Sequence, residues 1–321
     1  MDKSYQSIKR KNAVRENITA WCFIIPFLLF FLCFLLYPIL KGMKLSLFDA
    51  TLGGRTFFIG IQNYAAMFQD KGFWQAMFNT LFFVVISTPT IVLVGFIFAM
   101  FINSRLKGTI FIRTCFFSPY VLSMSVVTGL WIFIFQPYTG LVTQLTNVLG
   151  IGEMYWLNTK WLVWLAILIT TVWWTVGFNM ILFLAGLQDI PEDIYEAARI
   201  DGASEFLTFR RVIVPLSVPV IATVGLFTGL AYWNDWINGL YYINDPGLYS
   251  IQNLLIRLMN NIQYLNSGAA AGIVSGGTTG ALPSTSVRMA IAVVGVIPVV
   301  AAYPFLQKYL IRGTVIGAVK G

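Results

Sequence analysis

The chain has 321 residues, 58% of them hydrophobic and 11% charged, with a mean hydropathy of +0.76 and a formal net charge of +8. Soluble domains carry about 25% charged residues, so this composition excludes an ordinary water-soluble globule and points to helices that cross a membrane. The excess of Lys and Arg makes no basic stripe, which argues against nucleic acid as a partner; with no histidine in the chain, a metal site has few ligands to draw on.

A basic tail, 1–18, leads into the first apolar run, 19–40 (TAWCFIIPFLLFFLCFLLYPIL). That run is too long for a cleaved signal peptide and no small-residue cleavage site follows, so it is expected to stay as a span. Further runs cover 78–102, 111–135, 161–187, 213–232 and 287–307. At 1.5 Å per residue each can cross a hydrocarbon core of about 30 Å with some tilt. The predicted fold is an all-α integral membrane protein: six transmembrane helices in one domain, 19–321, behind the tail. With both termini cytoplasmic, the inner segments hold 14 of the Lys and Arg residues and the outer ones 7. That is the bias expected of cytoplasmic loops, and it includes Arg105 and Lys107 inside and Arg55 outside. A loop at 188–212 then faces the cytoplasm and one at 237–286 the outside. The second half of the outer loop, SGAAAGIVSGGTTGALPSTS, has a composition that signals flexibility. Cys22 and Cys33 lie about 16 Å apart along one helix, beyond disulfide reach, and with Cys115 they read as apolar filler.

Charged side chains inside spans mark ion relays, and these runs carry essentially none away from their ends. Their polar groups are hydroxyls, the amide of Asn179 and many aromatics. A proton relay has no residues to run on, and a sodium route through hydroxyls is weakened. No G-x-x-x-x-G-K-[ST] phosphate loop is present either. Uphill movement therefore needs energy from a partner, through a cytoplasmic docking element.

The segment IPEDIYEAARIDGASEFLTFRRVIVP, 190–215, is the one compact charged stretch between apolar runs. Pro191 suits a first helical turn, and Glu192 and Asp193 place negative charge at the positive end of the helix dipole. Gly202 fits the left-handed position that ends a helix, and Ser204 can cap a second short one running toward Phe209 and Arg210. These signals alone also describe an ordinary amphipathic loop.

Glu196-Ala197-Ala198, three residues, Gly202, nine residues and then Val212-Ile213-Val214-Pro215 resembles the EAA loop of bacterial ABC importer permeases. The family pattern ends in I-x-L-P where this chain has V-I-V-P. YEAARIDGAS and PLSVPVI are similar to the carbohydrate-importer branch. IGIQNYAAMFQDKGFWQAMFNTLFF and FFSPYVLSMSVVTGLWIFIF resemble the first permease subunit of maltose-type systems. Beyond about Pro215, YWNDWINGLYYINDPGLYSIQ, VRMAIAVVGVIPVVAAYPFLQKYLIRG and GAVKG resemble the second. The resemblance implies a multi-pass permease of the bacterial cytoplasmic membrane, not itself an enzyme. It implies as partners a second permease subunit, a dimer of ABC ATPases and an extracytoplasmic solute-binding protein that delivers a sugar or oligosaccharide. This chain itself would hold no cofactor; ATP and Mg would sit on the ATPase. Within the loop, Gly202 would set the bend, Ala197 and Ala198 would permit close approach, and Glu196, Arg199 and Asp201 would lie in the ATPase contact, with Pro215 at the handover to the fifth span. The outer loop would reach the solute-binding protein, and the GAVKG tail would run toward the ATPase.

In such relatives the sugar sits mid-membrane against the third to fifth spans. Helical spacing offers matching faces: Tyr120, Met124 and Val127 on the third; Thr171, Trp174, Thr175 and Phe178 on the fourth, with Asn179 beside them; Thr228, Tyr232 and Asp235 on the fifth, with Trp233 adjacent. Aromatic faces suit sugar rings, and hydroxyls and amides suit sugar hydroxyls. Trp161, Trp164, Trp233 and Trp236 equally fit interfacial anchoring. The alternatives are an ABC permease for a non-sugar solute and a stand-alone carrier or channel.

Overall fold

The computed structural model describes residues 3–50, 56–103, 108–266 and 285–318, nearly all helical. Arg55, Arg105, Lys107, most of the Gly/Ser/Thr-rich stretch and the last three residues of the tail lie outside the described residues. The chain forms two compact units, 1–69 with 279–294 and 70–278 with 295–321.

In the first unit, helix α1 (Lys3–Phe30) passes through a π-helical turn, Phe31–Leu36, into α2 (Tyr37–Leu45). A two-stranded antiparallel hairpin, β1 (Phe48–Ala50) and β2 (Thr56–Phe58), pairs Phe48 with Phe58. Helix α3 (Gln62–Gln69) follows. Its buried Asn63 amide donates to the carbonyls of Ser46 and Phe48, at 2.8 and 2.9 Å, and so ties the turn after α2 in place.

The second unit is built on α4 (Lys71–Asn103), α5 (Thr109–Val121), α6 (Met124–Ile134), α7 (Leu141–Val148) and α8 (Lys160–Gln188). Two short helices, α9 (Glu192–Ile200) and α10 (Glu205–Thr208), lead through a second π turn, Phe209–Ile213, into α11 (Val214–Trp233). Then come α12 (Ile237–Tyr242), a 3-10 turn at Pro246–Leu248 and α13 (Ile251–Asn266). The last helix, α14 (Thr285–Ala318), begins in the first unit and from Gly295 belongs to the second. Helices α4, α8 and α11 pack on one another and α5 packs on α8. Toward the α9 end, Phe96, Ala99, Met180, Phe183, Leu184 and Val224 form the core; at the opposite end Phe83, Val163, Ile167, Tyr242 and Leu248 do.

Among the described residues, five helices are long and apolar enough to cross a membrane: Glu16–Leu45, Lys71–Asn103, Lys160–Gln188, Glu205–Trp233 and Ser286–Pro304. These match five of the six expected runs. The third expected run, 111–135, is not one straight helix: α5 and α6 meet at a bend of 98°. Leu122 and Ser123 are extended there. Pro119 removes the N–H that the Cys115 carbonyl needs in the last turn of α5, and Ser118 Oγ donates to that carbonyl instead, at 3.1 Å. Ser123 O then restarts the helix by accepting from the N–H groups of Val126 and Val127.

Proline also accounts for both π turns. Tyr37, just before Pro38, donates its N–H to Leu32 O, and Val214, just before Pro215, donates to Phe209 O. Each bond spans five residues rather than four, the local widening that lets a helix continue past a disruption. α10 and α11 thereby remain one continuous rod, Glu205–Trp233.

Candidate functional site

The segment between α8 and α11 folds as two short helices joined at a glycine. Pro191 precedes α9, whose first turn carries Glu192 and Asp193 and whose last turn carries Arg199. Asp201 ends α9, and Gly202 follows at φ +75°, a left-handed conformation open to glycine at no steric cost. Gly202 N–H bonds Arg199 O and Ala203 N–H bonds Ala198 O, both at 3.0 Å, which closes the C-terminus of α9. Ser204 then caps α10, its hydroxyl accepting from Leu207 N–H at 3.3 Å. Glu196, Ala197, Arg199, Asp201, Gly202 and Pro215 are exposed, and Ala198 is half-buried. Tyr195, on the inner face of α9, has its hydroxyl buried without a hydrogen-bond partner among the described residues; burial pushes its phenol above the usual value.

A second cluster lies between α5, α8 and α11. The Tyr120 ring, at the end of α5, stacks on Phe178 of α8 with centroids 4.5 Å apart and planes 10° apart, and its centroid is 6.1 Å from that of Trp174. The Trp174 indole N–H is buried without a hydrogen-bond partner among the described residues. At the next residue Thr175 Oγ donates to Thr171 O at 2.8 Å, and Tyr232 of α11 lies beside the Thr175 side chain. The structure thus brings Tyr120, Trp174, Thr175, Phe178 and Tyr232 together across three elements.

The other expected path residues stand differently. Asn179 packs toward Gly95 of α4 and donates to Thr175 O at 3.0 Å. Thr171 and Thr228 are buried within the helix bundle. Met124 is half-buried at the start of α6, where its carbonyl accepts from Thr128. Trp233 turns to α14, its indole donating to Gly295 O at 3.0 Å. Asp235 lies past the end of α11, where its carboxylate accepts from the N–H groups of Ile237 and Asn238 and from the Asn238 amide at 2.6 Å, capping α12.

Sequence reasoning did not single out the α4 side of this region. Phe83 meets Tyr232 edge-on at 5.7 Å. The buried Asn79 amide donates to the carbonyls of Gly247 and Tyr249, and Thr80 Oγ accepts from Ile251 N–H at 2.9 Å. The signal was present: Asn79-Thr80 is a polar pair at the start of an apolar run. With Tyr232, Asp235, Asn238 and Ser250 these two line a cavity of about 20 Å3.

The family described as "Binding-protein-dependent transport system inner membrane component" matches residues 57–315. A probable ABC transporter permease, YurN, of Bacillus subtilis is 35% identical over 67% of this chain and 76% of its own. The trehalose/maltose transport system permease MalF of Thermococcus litoralis is 33% identical over 67% and 73%, and the lactose transport system permease LacF of Rhizobium radiobacter 34% over 77% and 87%. Among solved structures, a chain from a bacterial alginate ABC transporter, in complex with an alginate pentasaccharide-bound periplasmic protein, shares the fold with a TM-score of 0.75 at 20% identity, covering 94% of this chain and 97% of that one.

Proposed function

Because the chain belongs to the family of binding-protein-dependent transport system inner membrane components, we propose that it translocates a sugar or oligosaccharide as the multi-pass permease subunit of an ATP-driven importer. A solute-binding protein delivers the sugar, a second permease completes the path, and a dimer of ATPases, which holds ATP and Mg, drives it. The sugar class is supported by relatives named for maltose and trehalose, lactose and arabinooligosaccharides.

The observation that carries the coupling role is the continuity of α10 with α11. A force on an exposed two-helix knob passes into a single rod, Glu205–Trp233, with no flexible joint between contact and span. Gly202 fixes the angle between α9 and that rod. The exposed Glu196, Arg199 and Asp201 supply charged contacts for the ATPase surface, and Ala197 and Ala198 let it approach closely. At its far end the rod carries Tyr232, which lies beside Thr175 and meets Phe83 edge-on, so rod movement reaches the aromatic cluster directly. In the structure the Tyr120–Phe178 stack covers one face of each ring. Separating the two rings opens apolar faces for a sugar ring, and the unpartnered Trp174 N–H meets a sugar hydroxyl.

Reconstitution of the chain with its ATPase, second permease and binding protein in proteoliposomes tests this. Gly202→Asp and Glu196→Lys should leave basal ATP hydrolysis in place while uptake falls at least about tenfold. Normal uptake by both variants would remove α9 and α10 from the coupling role.

A further inference from the structure

At the end of the spans opposite α9, a groove of about 660 Å3 opens between the start of α4, α12, the 3-10 turn and α13. Its wall combines Trp236 and Tyr249 with the amides of Gln75, Asn253 and Asn260 and a single guanidinium, Arg257; no carboxylate lines it. Arg257 is held from two sides. Its guanidinium carbon lies over the Tyr249 ring, 4.1 Å from the centroid, and its Nε donates to Asn253 Oδ1 at 2.9 Å. Asn253 is itself buried and fixed, since its amide donates to Trp236 O at 3.1 Å and its N–H to Ser250 Oγ at 3.2 Å. Tyr249 is anchored in turn through its carbonyl by Asn79. Nε is thus used for positioning, while the two terminal nitrogens make no hydrogen bond among the described residues.

We propose that this groove is a second sugar subsite, specific for a sugar that carries a carboxylate, with Arg257 as the carboxylate ligand. The proposal rests on the sugar-importer reading. A planar guanidinium, held by an aromatic face and by its Nε, presents paired donors in the geometry that a carboxylate accepts. An isolated point contact for a protein side chain does not need a concave wall of this size. The volume falls within the range of small-ligand sites, and the mixture of amides with the Trp236 ring is suited to sugar hydroxyls and the apolar face of a pyranose. The acidic unit of an oligosaccharide would be read here, at the mouth, while the Tyr120–Phe178 cluster handles the sugar ring deeper in the spans.

The full chain in lipid nanodiscs can be titrated with a trimer of galacturonate and with the neutral galactose trimer, and with the glucuronate and mannuronate pairs. The expected result is binding at least about tenfold tighter for one or more of the uronate trimers than for its neutral counterpart, a preference that shrinks at high salt. Arg257→Gln abolishes that preference and Arg257→Lys, a point charge without the fork, restores only part of it. Trp174→Ala lowers uptake by the complete importer yet keeps the preference in the nanodisc measurement. Equal binding of every pair, or a preference that survives Arg257→Gln, overturns the subsite. Neutral-sugar uptake by the complete importer alongside equal binding would do so while leaving the importer reading standing. If Arg257→Gln weakens capture of the solute-binding protein and leaves sugar binding alone, the groove is a protein contact and the proposal fails. Uronate preference that depends on Arg257, with no ATP-driven uptake of any sugar, supports the subsite and sinks the importer reading instead.

Discussion

Two residues show how one atom decides local structure. A Cβ on Gly177 would fall on the carbonyl of Phe116 and near the Cα of Phe117, both backbone, so α5 can lie against α8 only because that position is glycine. Gly177→Ala should force the two helices apart at a cost of about 1–3 kcal/mol, read as a clear fall in melting temperature. Gly225→Ala, whose added carbon meets only Val92 at 3.8 Å, should be neutral or slightly stabilising; equal losses in both would show that the α5–α8 contact is not the cause. Asp235 gives a prediction of opposite character. Burial raises its carboxyl above the ordinary carboxylate value, and the hydrogen bonds from Asn238 and Ile237 only partly oppose this. The folded protein then holds the proton more tightly than the unfolded chain. The contribution of this group to stability is therefore greatest at low pH and falls as pH rises from the ordinary value through the raised one. Asp235→Asn keeps an acceptor for the α12 N–H groups and removes the buried charge. Its melting temperature should exceed that of the parent near about pH 7.5, and the gap should close toward about pH 4. A variant less stable at both values would show that the charge itself holds the cap.

Helices carry the next level of argument, and the bent pair is the most exposed claim among them. A straight helix over 111–135 would put spin labels at Ile112 and Phe133 about 32 Å apart. Two arms bent by 98° bring them to roughly 20 Å by the same rise per residue. Pulsed electron–electron resonance in nanodiscs distinguishes these, and a distribution centred near the longer value would mean an unbroken span. Hydropathy does not register such a bend, because Leu122 and Ser123 keep the run apolar enough while leaving helical conformation; Pro119 was the legible hint. The knob at 190–215 was far easier to read, since Gly202 in a left-handed conformation and the Ser204 cap depend on neighbours two or three residues away. Helical register does not extend past the end of α11: Tyr232 faces α8, while Asp235 lies beyond Trp233, caps α12 and still lines one cavity with Tyr232. The Trp233 bond to Gly295 joins residues 62 apart, and no local pattern announces it. Likewise α12 and α13 were read only as part of a long outer loop, although each is short enough to follow a span and polar enough to leave it.

At the scale of the whole molecule, the long helices of the second unit leave much of their apolar surface exposed. Half of the most apolar window is buried in Lys160–Gln188, 28% in Lys71–Asn103 and 22% in Glu205–Trp233. Polar stretches flank these helices, so their exposed faces sit at membrane depth and meet either lipid tails or another protein. Lipid alone satisfies the apolar faces, but it explains neither the exposed charged knob nor the absence of a phosphate loop from a chain whose family works with binding proteins. Association between membrane helices runs on close packing rather than on the hydrophobic effect, so a partner should be held firmly enough to survive mild detergent. Capture of the chain from its native membrane, followed by mass spectrometry, should therefore return a second six-span protein and an ATPase with a phosphate loop. Glu196→Lys should return both partners as the parent does, because its expected defect lies in coupling and the span faces are a separate surface. If the chain returns alone, and takes up solute down a gradient in liposomes without any ATPase, it is a stand-alone carrier and the knob serves some other end. If both partners are lost together in Glu196→Lys, assembly depends on the knob, and coupling and assembly are one property rather than two.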